Sequence, residues 1–236
     1  MKFSSFISIC SLVLGCGAFV GSNVTAAHDA WVAPVEGPVF PVHFGHKAPQ
    51  DYVAEKVKTV TAFDANRLPL TVDVMRDATG ASVRANGKPA MLLVEFDNGF
   101  YTKVDGKSIQ MSKRDAPPGS TTNHPVKSGK TIVQWAPWMA EPMGQRLEVL
   151  PLKVSGAPKA GSKFKVRILL DGKPVSGVMV ENNSNETGPK TDADGLATLT
   201  LVKGINRLSV DYDIPMPGDP ETDKLGLNGS LVFMSQ

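Results

Sequence analysis

Residues 171–177 read Asp171-Gly172-Lys173-Pro174-Val175-Ser176-Gly177, and residues 191–196 read Thr191-Asp192-Ala193-Asp194-Gly195-Leu196. Asp-Gly pairs supply the positive φ that a tight reversal between antiparallel strands demands. Pro174 stiffens the chain just beyond the first pair. Short apolar runs follow the turns, at 178–181 and 196–201. Further on, Leu208, Val210 and Tyr212 alternate with Ser209 and Asp211, the period of a strand with one face toward a core. Working outward, similar runs stand at 57–62, 70–74, 91–96, 131–134, 147–151 and 164–170, each bounded by Gly, Pro, Asn or Asp. No long stretch holds a helical period. Regular short strands punctuated by turns predict an all-β chain of two β-sandwiches. The division falls near Gly144, because 147–151 reads as the first strand of the second unit. The N-terminal sandwich is then 28–145 and the C-terminal one 146–236. The second, about 90 residues, is of a size that folds alone. Residues 153–162, small and polar, form a hinge or a loop of that second unit.

The Gly-x-Pro and Thr-Asp-x-x-Gly segments, with the strands after them, resemble those of transthyretin-like and carboxypeptidase-regulatory-like sandwiches over about residues 146–212. That resemblance implies an Ig-like fold for the C-terminal unit and no activity. Asp192 and Asp194 are read as hairpin residues, since no further carboxylates follow at Ca²⁺-loop spacing.

Composition sets the limits of function. The 236 residues include 22 Gly and 18 Pro, rich in turns yet 42% hydrophobic, enough for a packed core. A net charge of +2 lacks the basic excess of a nucleic-acid binder. Lys2 followed by an apolar or small stretch to Val20, ending in Val24-Thr25-Ala26-Ala27, reads as an export signal over 1–27. Cleavage leaves His28 or Ala27 first and gives a periplasmic protein with no membrane insertion of the mature chain. Both cysteines, Cys10 and Cys16, lie within this segment, so the mature chain has neither disulfides nor thiolate ligands. Val13-Leu14-Gly15-Cys16 loosely matches a lipoprotein box; soluble export is favoured over a lipid anchor at Cys16 because the apolar run continues past it.

Of four histidines, His28, His43 and His46 fall within 19 residues, and His124 stands apart in Asn123-His124-Pro125. Neutral imidazole is a preferred ligand of late transition metals. His43 and His46 point to opposite faces of a straight strand, but Gly45 permits a bend toward one ion. As a new N-terminus, His28 offers an amine and an imidazole on one residue. Asp29 is a candidate ligand or a partner for an imidazole N–H.

His28-Asp29-Ala30-Trp31-Val32-Ala33-Pro34 resembles the "A-H-[DE]-x-W-[LV]-x-P" start of a bacterial periplasmic family of unknown function. Residues 124–131, His-Pro-Val-Lys-Ser-Gly-Lys-Thr, and 144–152, Gly-Gln-Arg-Leu-Glu-Val-Leu-Pro-Leu, are similar to that family's "H-P-x-K-x-G-x-T" and "G-x-x-L-E-[IV]-[VL]-P-L" segments. Members are associated with the extra soluble component of nickel or cobalt ECF-type uptake transporters. The resemblance implies nickel or cobalt as the ion and a membrane metal importer as partner; the ligands read from the residues are His28 with His43 and His46, and Asp29, His124 or water completes the shell. Copper is the chemical rival, given its place in the affinity order.

No Gly-x-Ser-x-Gly and no phosphate loop occurs, so the chain is not read as an enzyme. The pairs Asp211/Asp213 and Asp219/Glu221 read as solvated surface charge, Trp135-Ala136-Pro137-Trp138-Met139 as packing rather than a soft copper site, and Asn182-Asn183-Ser184 as loop chemistry. The expectation is a periplasmic nickel or cobalt binder, with a non-metal binding or adhesion module as the alternative.

Overall fold

The structure is a computed structural model that describes residues 28–153 and 156–236. The candidate signal peptide, with Cys10 and Cys16, lies outside the described residues. In chain order the strands are β1 (Asp29–Val32), β2 (Val39–Gly45), β3 (Pro49–Gln50), β4 (Val57–Phe63), β5 (Pro69–Leu70) and β6 (Val72–Arg76). Then come β7 (Ala81–Ala85), β8 (Met91–Asp97), β9 (Tyr101–Val104), β10 (Lys107–Gln110), β11 (Thr121–Ile132) and β12 (Leu147–Pro151). The last are β13 (Lys163–Leu170), β14 (Lys173–Pro174), β15 (Glu181–Asn182), β16 (Leu196–Thr200), β17 (Gly204–Pro215) and β18 (Lys224–Ser235). Helix is limited to three short 3₁₀ turns among the described residues, so the chain is all-β, with sheets packed as sandwiches.

A nine-stranded sheet runs β15-β17-β18-β11-β8-β4-β5, with β9 and β10 attached through β11. It takes strands from both sides of residue 146, because β18 lies parallel to β11, Asn123 against Lys224 through Ile132 against Phe233. A five-stranded sheet of β1, β2, β3, β6 and β7, and a four-stranded sheet of β12, β13, β14 and β16, complete the molecule. Register shows how they stack. Leu92, Val94 and Phe96 of β8 share one hydrophobic core with Phe40, Val42 and Phe44 of β2. The opposite face of the large sheet offers Met91 of β8, Ile132 of β11, Leu227 and Phe233 of β18, and Leu208 and Val210 of β17, which pack on Val166 and Ile168 of β13. The small sheets therefore cover opposite faces of the large one. Each fully buried Leu or Phe in these cores contributes about 1.5–3 kcal/mol. Met139 is fully buried and Trp135 packs edge-on to Phe233 at 5.2 Å, so that segment is packing.

The turns behave as their residues dictate. Asp171 and Gly172 both take positive φ, 48° and 75°. Asp192 Oδ1 accepts the N–H groups of Asp194 and Leu196, both at 2.9 Å, an Asx turn and not a cation loop.

One close approach places the N-terminal strand. A Cβ at Gly129 would stand 2.3 Å from the Ala30 carbonyl oxygen, so only glycine lets β1 lie on β11. Thr131 Oγ1 then donates to Val32 O at 2.7 Å. This crossing carries Asp29 and Trp31 over the large sheet.

Candidate functional site

The face of the large sheet that is apolar at β8 becomes polar farther along. Lys127 of β11 is in register with Asn228 of β18, and Asn228 with Asp211 of β17. Paired residues share a face, so these three form a row across the strands. Arg207 and Ser209 continue that face of β17, and Glu181 pairs with Ser209. Into this surface β1 inserts Asp29. Arg207 Nε meets Asp29 Oδ2 at 2.7 Å, both side chains almost fully buried. Asn228 Nδ2 donates to Asp29 Oδ1 and to Asp211 Oδ1, each at 2.9 Å. The Arg207 guanidinium lies 4.1 Å above the Trp31 ring, a cation–π contact strengthened by burial. The same guanidinium donates to the His46 carbonyl and, at 2.5 Å, to Ser184 Oγ.

Beside this cluster opens a cleft of about 650 Å³. Lys127, Asn228, Asp211, Glu181, Lys190 and Tyr212 are among the residues that line it. Lys127 is 3% exposed and makes no hydrogen bond to a described residue; its ammonium stands 6.0 Å from the Phe44 ring centre. Burial lowers its pKa, against the pull of Asp211 and Asp29. Asp211 is wetted by the cleft yet enclosed by protein, and that desolvation raises its pKa in spite of Asn228. Asp211 is exposed, as expected of a solvated charge, and the surface it lies on is the wall of the cleft.

Glu181 is the most perturbed carboxyl here. Desolvation, then Asp211, Asp29 and Glu186, push its pKa to about 7, with Arg207 opposing. The native state thus binds a proton that the unfolded chain, near the ordinary 4.5, has already lost. Stability must fall as pH rises between those two values. Glu181→Gln removes this loss. Thermal melts from about pH 5 to about pH 8 should show the parent Tm dropping relative to the variant; parallel curves would refute the assignment.

The histidines divide. His28 stacks on Phe44 with centroids 5.0 Å apart and shares a 3.2 Å hydrogen bond with Gln50 Oε1. Burial, then Lys127, lowers its pKa, so the ring is neutral at neutral pH; His46 also acts on it electrostatically. His43 packs against Trp31 at 5.4 Å, and burial followed by Arg207 lowers its pKa as well. His46 Nε2 faces Glu186 Oε1 at 4.0 Å. His124 is elsewhere: register sets it on the opposite face from Lys127, where Nε2 meets Asp97 Oδ1 at 2.7 Å and the ring packs on Phe100. Asp29 is occupied by Arg207 and Asn228. Among the described residues no group of three His, Cys, Asp or Glu side chains stands ready to hold a metal ion.

Arg207, Asn228, Glu181, Glu186 and Ser184 complete the neighbourhood, and sequence reasoning did not select them. The one available signal was Asn183-Ser184, whose positive φ values of 52° and 59° turn the loop so that Ser184 Oγ donates to His46 O at 2.5 Å.

A family model described as "Domain of unknown function (DUF4198)" matches residues 25–213. An uncharacterized protein of Haemophilus influenzae is 27% identical over 227 residues, covering 95% of this chain and 98% of its own length. No solved structure matches. Among the described residues no helix is long and apolar enough to cross a membrane.

Proposed function

We propose that this chain, which belongs to the family described as Domain of unknown function (DUF4198), is an exported protein that binds a divalent transition metal as cargo. The observation that carries the reading is the facing pair His46 Nε2 and Glu186 Oε1 at 4.0 Å, with the neutral ring of His28 in electrostatic reach. Two donors each about 2.1 Å from one ion stand up to about 4.2 Å apart, so this pair fits a shared cation with little movement. A third donor would come from His28. Once residues 1–27 are removed, its α-amine and ring supply two nitrogens from one residue. His43, three residues back along β2 and in register with Trp31, is the further donor of this reading, with nickel or cobalt as the ions that the sequence resemblance implies. Copper competes on affinity order. A membrane importer would receive the ion.

The test is calorimetric titration of Ni²⁺, Co²⁺ and Cu²⁺ into the chain beginning at His28. His43→Ala with His46→Ala should weaken binding at least about tenfold, a difference of about 1.4 kcal/mol. One extra residue before His28 should also weaken it by displacing the amine. Asp192→Asn should not. If the double variant binds each metal as tightly as the parent, the reading fails.

A further inference from the structure

The cleft beside the ion cluster is larger than a metal ion needs. At about 650 Å³ it lies inside the ~300–1,000 Å³ span of small-molecule sites. Its walls carry both signs of charge. Lys224 and Asp213, at the rim, satisfy each other at 2.6 Å. What remains is Lys127 on β11 at one end of the row, and Asp211 and Glu181 toward the other, where Lys190 is bridged to Met179 beside Glu181.

These four groups are under-used by the protein. Lys127, at 3% exposure, has three N–H donors and no hydrogen-bond acceptor among the described residues. Its nitrogen is not among the fully buried polar atoms that lack a partner, so it opens on the cleft, where an acceptor from outside can meet it. Asp211 takes one hydrogen bond, from Asn228, and its other oxygen is unused. Glu181 accepts none from a described residue. Two amide oxygens on the same walls, Asn228 Oδ1 and Asn123 Oδ1, are buried without a partner. Donors are therefore missing on the acidic side, and acceptors on the side of Lys127. A ligand of one sign would satisfy half of this set and oppose the other half.

We propose that the cleft binds a small zwitterion of the α-amino acid or short-peptide class, its carboxylate on Lys127 and its ammonium on Asp211 and Glu181. The row Lys127–Asn228–Asp211 spans two strand spacings, about 9.5 Å between outer Cα atoms, so long flexible Lys127 brings the two charges within reach of one short molecule. This is a second ligand, distinct from the metal cargo, and needs neither His46 nor Glu186.

The experiment is calorimetry on the chain beginning at His28 with L-glutamine and L-alanyl-L-alanine, against putrescine (amine alone) and succinate (carboxylate alone). At least one zwitterion should bind, and both single-sign probes should be at least tenfold weaker. Lys127→Met keeps the apolar stem and removes the ammonium; Asp211→Asn keeps an acceptor for Asn228 and removes the charge. Both should weaken the zwitterion at least tenfold, and a melt of each confirms that it is folded. Asp211→Asn should leave the Ni²⁺ titration within twofold, which separates this site from the metal reading. The proposal is overturned if neither zwitterion binds, if putrescine or succinate binds as tightly, or if both folded variants bind like the parent.

Discussion

Replacing Lys130 by Met while Glu148 stays in place is expected to destabilise the protein by about 3–5 kcal/mol, the usual cost of orphaning one half of a buried ion pair. The two side chains are 0% and 1% exposed, and the Lys130 ammonium donates directly to Glu148 Oε1. Glu148 is also an acceptor for the backbone. Met143 N–H donates to its Oε1 at 2.8 Å and Gly144 N–H to its Oε2 at 3.2 Å. The pair thus pins the connection between β11 and β12, where the chain passes from the large sheet to the small one. Lys130→Met with Glu148→Gln should recover part of the loss, because Gln keeps an oxygen for the stronger N–H contact, from Met143, and brings no charge. Urea unfolding of the parent, both single variants and the double variant measures this. A Lys130→Met protein within about 1 kcal/mol of the parent would show that the pair is not held as described.

How far the sequence could be read follows from the range of the interactions. Turns and strand period are local, so Asp171-Gly172, Asp192 to Gly195, and the strands β12, β13 and β16 were legible in place. The pairing of β11 with β18 joins Asn123 to Lys224, a hundred positions away, and no local pattern announces it. Strand β18 itself escaped notice because Asn228-Gly229-Ser230 interrupts its apolar run. In the fold, Asn228 bridges two carboxylates, and a Cβ at Gly229 would stand 2.5 Å from Leu147 O. For the same reason alternation assigned Asp211 to the face away from the core, which is right, but could not say what stands opposite it. Three of the segments that carry the family resemblance meet in space. Asp29 and Trp31 lie on Arg207, Gly129 admits β1, and Glu148 holds Lys130. Much of that signature is therefore assembly, and of it Pro125 and Lys127 line the cleft. The histidines were legible as a group near the N-terminus, yet their partners, Gln50, Trp31, Glu186 and Asp97, come from four different elements.

The second large effect lies at Arg207. Its guanidinium neutralises Asp29 at 2.7 Å, covers Trp31 at 4.1 Å, and ties the His46 carbonyl and Ser184 to β17. Arg207→Met would keep much of the stem's packing but leave Asp29, 2% exposed, with the Asn228 amide as its side-chain donor. A loss of about 3–5 kcal/mol is expected, again the cost of an uncompensated buried charge. Lysine should not substitute, since a single ammonium cannot bond a carboxylate, a carbonyl and a hydroxyl while stacking on an indole. Asp29→Asn in the Arg207→Met background removes the stranded charge and should restore at least about 1.5 kcal/mol, the scale of a strongly coupled pair. The His46 segment would remain loosened in both, because its carbonyl loses the guanidinium whichever residue stands at position 29. Hydrogen exchange around residues 44–48 should therefore rise in the single and the double variant alike, whereas global stability recovers in the double variant. A double-mutant cycle with coupling below about 0.5 kcal/mol would mean that Asp29 and Arg207 are independent. In that case the anchoring of β1 rests on its other contacts, at Gly129, Thr131, Asn228 and the ladder with β2.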